Sequence, residues 1–391
     1  MNTRHPPSIP KAVGVLDASP IGARNSATIR TRANHGGRLL TSTLDNGVVE
    51  TRAYKTDNTL SGISFTVASI GNLSYGWDAN KNKTSEIITG TMSNDGFDVG
   101  VSGYDDEDRL VSWSRDDSNL DQSWNLSLVG DWTSYTENAS VQSRTHGSAH
   151  ELLTVASQSV SHDAKGNMTS IPAVLRPGSN ALAMSWDFDN RLSLADTDGD
   201  SVADVQYKFD ALGRRVYRDD GTAATVYVQN GQQTVVDYAS EAAATSPTYC
   251  YLYASYIDEP VVRIGHTGGG KHFYHRNQQY SLIALTNHTG SVKERYSYDA
   301  YGSVSIFDGG GVSRSSSQLS NRYTYTGREW DEDLDLYHYR ARMYDPKSGR
   351  FCSRDPIGYD GSQWSLYEYV DSAPLVGRDP SGKDNLWNPF T

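Results

Sequence analysis

Cysteine is nearly absent from this 391-residue chain: Cys250 and Cys352 are too few for a disulfide framework, and they leave a single bridge and the redox compartment open. No apolar run approaches the ~20 residues of a membrane-spanning helix. The N-terminus, Met1-Asn-Thr-Arg-His-Pro-Pro-Ser-Ile-Pro10, lacks the apolar stretch of a signal peptide. Basic residues are outnumbered, 35 Lys+Arg against 47 Asp+Glu, and the net charge of −12 argues against a phosphate backbone or an anionic membrane surface as partner. Gly-x-Ser-x-Gly, the mark of one kind of nucleophilic serine, does not occur. Gly265-His-Thr-Gly-Gly-Gly-Lys271 has the first seven positions of a phosphate-binding loop. His272, however, stands where a hydroxyl should hold Mg²⁺, and an aromatic strand follows, so a glycine-rich hairpin turn is expected there. His266, His272, His275 and His288 crowd one region, yet a three-residue step along a strand puts His272 and His275 on opposite faces, which argues against a shared metal.

Tyrosine, by contrast, is abundant, with 25 copies beside 35 glycines. Aromatic residues favour strands, and glycine with Asp and Asn supplies the turns that many short strands need. One unit shows the pattern clearly: Tyr207-Lys-Phe209-Asp210-Ala-Leu-Gly213-Arg-Arg-Val216. Tyr207 and Phe209 share a strand face, Asp210 to Gly213 turn the chain, and Arg214 starts the return strand. Related units begin near Tyr75, Tyr104, His162, Trp186 and Tyr296. Asp163, Asp187 and Asp210 follow one another at 24 and 23 residues, and Asp78 and Asp105 at 27. Repeats of this period stack, because a lone hairpin is marginal and must bury its aromatic face against neighbours. One continuous sheet is expected, with a gap in the pattern between residues 211 and 295.

Two other constellations carry chemistry. Asp196, Asp198, Asp200 and Asp204 occupy positions 1, 3, 5 and 9 of one loop, a spacing suited to Ca²⁺ and resembling the calcium loops of thrombospondin type 3 repeats. Gly199 at position 4 and the lack of Glu at position 12 separate it from an EF-hand, and a solvated acidic turn is the alternative. Near the C-terminus, Asp355-Pro-Ile-Gly358 and Asp379-Pro-Ser-Gly382 each combine a capping Asp, a Pro that presets φ and a closing Gly. Both are tight turns, and proline pushes each Asp towards an extended backbone at a strand end. Twenty residues lie between them, including Trp364 and Tyr367-Glu-Tyr369, enough to bring the second Asp back towards the first.

Together with Tyr337-His-Tyr-Arg-Ala-Arg-Met-Tyr-Asp345-Pro-Lys-Ser-Gly-Arg-Phe351, these turns closely resemble the RHS-repeat-associated core of bacterial RHS/YD-repeat proteins. The hairpin repeats resemble YD repeats. The resemblance implies an all-β fold: stacked YD hairpins in a spiralling sheet, a partial cocoon or shell, closed by a C-terminal core plug. It divides the chain into an irregular or partly repetitive segment (1–60), a YD array (61–304), a flexible Gly/Ser-rich loop (305–321), the core (322–382) and a short tail (383–391). It further implies self-cleavage after Gly382 by Asp355 and Asp379, with Arg354 favouring the ionised partner; the only enzymatic act would be on the chain itself. Two close carboxylates share a proton, so that one activates water while the other protonates the amide. The plain alternative is that both motifs are only turns. Relatives usually carry an apolar residue after the second motif, where Lys383 stands here and Leu386 is the nearest apolar anchor.

The implied partners are an encapsulated effector or a secretion component, and the implied location is secreted or at the cell surface. The nine residues after Gly382 are too few to fold as an effector, so the chain reads as an orphan or shortened shell, or as the end of a longer protein. A non-enzymatic module whose aromatic strands bind a cell-surface glycan or protein is the competing reading.

Overall fold

A computed structural model describes residues 13–17, 26–34, 36–116, 120–176, 180–266, 268, 270–362 and 364–383. Among these residues secondary structure is β, with short 3₁₀ turns and no α-helix. Among the described residues no helix is long and apolar enough to cross a membrane.

The hairpin unit forms as its sequence dictates. Val205–Phe209 pairs antiparallel with Arg215–Asp219, and along the first strand Val205 and Tyr207 are buried while Gln206 and Lys208 are exposed. At the turn, Asp210 Oδ1 accepts the amides of Leu212 (2.9 Å) and Arg214 (3.0 Å), and the Gly213 amide donates to the Asp210 carbonyl (2.9 Å). Gly213 has φ +79°, and the register slips by one residue at Lys208/Phe209. This is a tight turn closed by a left-handed residue and a bulge, a geometry that joins strands without splaying them. The same two amide contacts recur at Asp105, Asp163, Asp187 and Asp299.

Within each sheet of the wall, every strand pairs with its sequence neighbours. The expected single sheet is instead two: a 14-stranded sheet from Val13–Asp17 to Gln158–Ser159, and a 15-stranded sheet from Ser161–His162 to Ser313–Arg314. The break falls at Val160, which is buried and sends its amide back to Leu153. The apparent gap between 211 and 295 is filled by regular strands whose turns use Asn277 and Asn287 in place of Asp. Residues 305–321, expected as a loop, include most of the strand Val304–Asp308, which pairs with Val292–Tyr298. The segment before residue 60 likewise carries ordered pairing between Leu39–Leu44 and Val49–Tyr54.

The two sheets pack against each other: Ile29, Leu44 and Ile63 of the first share a buried cluster with Val262, Phe273 and Ala284 of the second. Inside sits a four-stranded sheet, Glu329–Asp331, Leu336–Tyr339, Arg342–Asp345 and Arg350–Phe351. Strand alternation splits its side chains between two clusters. Leu336 and Met343 face wall residues such as Leu182 and Tyr207, whereas Tyr337, Tyr339, Tyr344 and Phe351 face Trp113, Trp124 and Trp132. Their hydroxyls are satisfied in place: Tyr337 donates to the Gly302 carbonyl and Tyr344 to the Tyr301 carbonyl, both at 2.8 Å. Ion pairs fasten the plug to the wall. Arg218 meets Asp331 at 2.8 Å, Arg350 meets Asp131 at 2.9 Å, and Arg215 pairs with Glu329. Burial works to raise the Glu329 pKa, but Arg322 and Arg215 hold it well below the usual carboxylate range.

Candidate functional site

Asp355 and Asp379 are brought together at the edge of the plug, both buried. The residue between them is Arg342, at the start of the third plug strand. Its Nη2 lies 2.9 Å from Asp355 Oδ2 and 3.2 Å from Asp379 Oδ2. The guanidinium stacks on Phe351, with its central carbon 3.5 Å from the ring centre, which fixes its plane. Two carboxylates in a dry site repel each other, and a cation placed between them removes most of that cost.

The other oxygen of each aspartate serves its turn. Asp355 Oδ1 accepts the Ile357 amide at 3.0 Å, and Asp379 Oδ1 accepts the Lys383 amide at 3.0 Å and the Ser381 hydroxyl at 3.3 Å. Arg342 Nε donates to the Gly382 carbonyl (2.5 Å). The Gly382–Lys383 peptide is therefore held on both sides, its carbonyl oxygen by a guanidinium and its nitrogen by the carboxylate of Asp379. Gly382 itself must lack a side chain: φ is +71°, and a Cβ would stand 2.2 Å from the Tyr339 carbonyl. Gly361 packs its bare Cα against both Asp355 and Lys383, since a Cβ there would stand 2.5 Å from Asp355 Oδ2 and 2.6 Å from the Lys383 carbonyl oxygen. A cavity of about 470 Å³, bordered by Asp258, Arg340, Pro356, Ser381 and Lys383, lies beside both turns.

Arg354 is placed elsewhere. It donates to Glu151 (2.8 Å) and to the Tyr367 hydroxyl (3.2 Å), because neighbouring residues of an extended chain point to opposite sides. Arg342 holds the position between the carboxylates, and the hairpin pairing of Tyr339 with Arg342 is what brings it there. Leu386 lies outside the described residues.

The acidic loop gathers three of its four candidates. Asp196, Asp198 and Asp204 each bring one carboxylate oxygen within 4.8 Å of the others, while Asp200 is not in the group and caps the Val202 amide (2.7 Å). Asp196 already accepts the amides of Gly199 (2.7 Å) and Ser201 (2.9 Å). Asp204 accepts the Thr197 amide and hydroxyl, both at 2.7 Å, and these bonds lower its pKa. Three oxygens are about half of the six to eight that Ca²⁺ takes. His275 is buried against the Thr286 hydroxyl (2.8 Å), and burial pushes its pKa down to about 3. Cys250 and Cys352 are both buried.

The family model described as the teneurin YD-shell matches residues 45–368. Over 260 residues the chain is 29% identical to the tRNA nuclease WapA of Bacillus subtilis strain 168, covering 66% of this chain and 10% of that protein. It is 25% identical over 309 residues to the double-stranded DNA deaminase toxin A of Burkholderia cenocepacia strain H111, covering 71% of this chain and 20% of that protein. Among solved structures, the TcdB2-TccC3 crystal structure is similar at 18% identity and a TM-score of 0.45, covering 92% of this chain and 22% of that one. The chain thus spans about a tenth of the length of WapA and a fifth of the deaminase toxin.

Proposed function

Because this chain belongs to the YD-shell family, we propose that it is the plugged end of an RHS-type toxin shell, and that the plug cuts its own chain after Gly382. The supporting observation is the held peptide. Gly382 offers its carbonyl to Arg342 Nε (2.5 Å), and the Lys383 amide sits 3.0 Å from Asp379 Oδ1.

The chemistry follows from those contacts. A water adds to the Gly382 carbonyl carbon and passes a proton to Asp355, which Arg342 Nη2 favours as a carboxylate. Negative charge grows on the carbonyl oxygen, where the Arg342 guanidinium is already aimed. Asp379, once it takes a proton on Oδ2 in place of its contact with Arg342 Nη2, delivers that proton to the Lys383 nitrogen, the C–N bond breaks, and a Gly382 carboxyl and a Lys383 amine result. Lys383 in place of an apolar residue costs little here, because its side chain is exposed and its backbone makes the contacts.

Two relatives are named as a nuclease and a deaminase toxin, which supports a role for the shell in enclosing and delivering an effector carried after the cut, outside the producing cell. The loop at 196–204 is read as a weak Ca²⁺ staple on the wall. Intact-mass measurement of the purified chain tests the cut. Loss of residues 383–391 is expected in the wild type and not in Asp355→Asn or Asp379→Asn. A wild-type mass that stays full-length on prolonged incubation would falsify it, leaving two buried turns.

A further inference from the structure

The second Asp-Pro turn is held by more than its own residues. Three successive carbonyls, of Pro380, Ser381 and Gly382, are each taken by one of three successive residues at a plug hairpin corner. Arg340 Nη1 donates to Pro380, the Ala341 amide to Ser381 (3.2 Å) and Arg342 Nε to Gly382 (2.5 Å). The corner therefore reads the backbone of the turn one residue at a time.

Arg340 also leads outward. Its Nε donates to the Gln232 carbonyl (3.1 Å) in the wall hairpin between Ala224–Asn230 and Gln233–Ala239. Its Nη2 meets Asp258 Oδ1 at 2.6 Å, in the turn that precedes the wall strand Pro260–Gly265. Asp258 is 2% exposed and takes Arg328 Nη1 on the same oxygen, also at 2.6 Å. All three nitrogens of Arg340 are thus committed, two to the wall and one to the turn that carries Asp379. Its backbone is left-handed, with φ +59°, a conformation that Asn accepts more readily than Arg. A residue kept against its own backbone preference, with each of its three side-chain nitrogens bonded to a fixed acceptor, points to a positioning role.

We infer that Arg340, held by Asp258 and Gln232, is the positioning residue that sets which peptide bond lies between Asp379 and Arg342, so that cutting requires the wall turns to be folded in place. This rests on the self-cleavage reading above. A shift of ~1 Å in such a geometry lowers a rate by as much as about a hundredfold.

The test is Arg340→Asn in the full chain, followed by intact-mass measurement over time and by thermal melting, with Ile63→Ala as a wall-destabilised control. Asn suits the left-handed position and Asp258 keeps Arg328, so the fold should persist, with a melting temperature lowered no further than that of Ile63→Ala. The cut should slow at least tenfold and spread to bonds other than Gly382–Lys383, while Ile63→Ala still cuts at that single bond. Wild-type rate and position in Arg340→Asn overturn the inference and leave self-cleavage standing. So does an equal slowing of both variants with equal losses of melting temperature. A wild type that never cuts overturns self-cleavage itself, and the positioning role with it.

Discussion

In the wall, Asp163 and Asp210 each spend Oδ1 on the amides two and four residues ahead, and Oδ2 on a neighbour in the same turn, Asn167 at 2.9 Å or the Arg214 Nε at 2.7 Å. In the plug, Asp355 and Asp379 cap the same positions between them, one amide two residues ahead and one four ahead. Their Oδ2 atoms, however, converge from two turns on one buried guanidinium. A turn aspartate is thus a ready source of a placed carboxylate. On the proposed reading, what sets the plug pair apart is that the two second oxygens share one guanidinium instead of each staying with its own turn.

The sharpest way to break this contrast is to remove a plug carboxylate. Asp379→Asn keeps the turn cap and should abolish the mass loss at any incubation time, an effect of more than about a thousandfold, the scale on which general acid–base groups act. Arg342→Met should also stop the cut and in addition destabilise the fold by about 3–5 kcal/mol, as expected when one partner of a buried ion pair is lost.

Next comes pH. Glu368 faces Gly130, where a Cβ would stand 2.7 Å from Oε1, and its own contacts are hydroxyls, Ser362 at 2.9 Å and Ser372 at 3.4 Å. Burial and then the Asp371 and Asp131 carboxylates raise its pKa to about 7. The folded state therefore binds a proton that the unfolded chain has released, and the stability linked to Glu368, fully present below about pH 4.5, is lost as pH rises through about 7. His146 has the opposite sign: burial, then Arg350, lowers it to about 4, so its contribution falls as pH drops from 6.5 towards 4. Melting curves across pH 4.5–7.5 for wild type and Glu368→Gln separate the two. The variant should remove a slope on the order of 2–3 kcal/mol, and an unchanged slope sinks the assignment.

Smaller effects belong to the wall. Asp210→Ala should lose about 1 kcal/mol on denaturant unfolding and leave the cut untouched; a halted cut would mean that wall turns and plug turns are not separable. Ca²⁺ at millimolar concentration should raise the melting temperature by the equivalent of about 1 kcal/mol at most. Asp198→Ala should abolish that rise and Asp200→Ala should not, because Asp200 lies outside the gathered oxygens.

Much of this was legible in the residues. Asp-x-x-Gly turns at a regular period announce hairpins, and two Asp-Pro-x-Gly motifs announce two turns, since both depend on local backbone chemistry; that their carboxylates meet was implied only by the resemblance to RHS cores. Arg342 was not legible: it is one of two arginines flanking Ala341, and only the two-residue hairpin decides that it points inward to the aspartates while Arg340 reaches the wall. Arg354 was misleading for the same reason, being adjacent in sequence and opposite in direction. Asn277 and Asn287 hid two turns from a pattern keyed to Asp, although the amide oxygen caps as well as a carboxylate does. No local signal marks the break at Val160.

The strict pairing of each strand with its sequence neighbours also fixes an order of events. Hairpins close over short loops at little entropic cost, so the wall can zip up progressively while the chain is still being synthesised. The plug draws on partners far back in the chain, Arg144 with the Ser348 carbonyl and Asp131 with Arg350 among them, and it cannot dock until residues 322–383 have emerged. Arg342, Asp355 and Asp379 therefore meet last. The timing of synthesis itself keeps the carboxylate pair apart until the wall strands that precede the plug in this chain have been made.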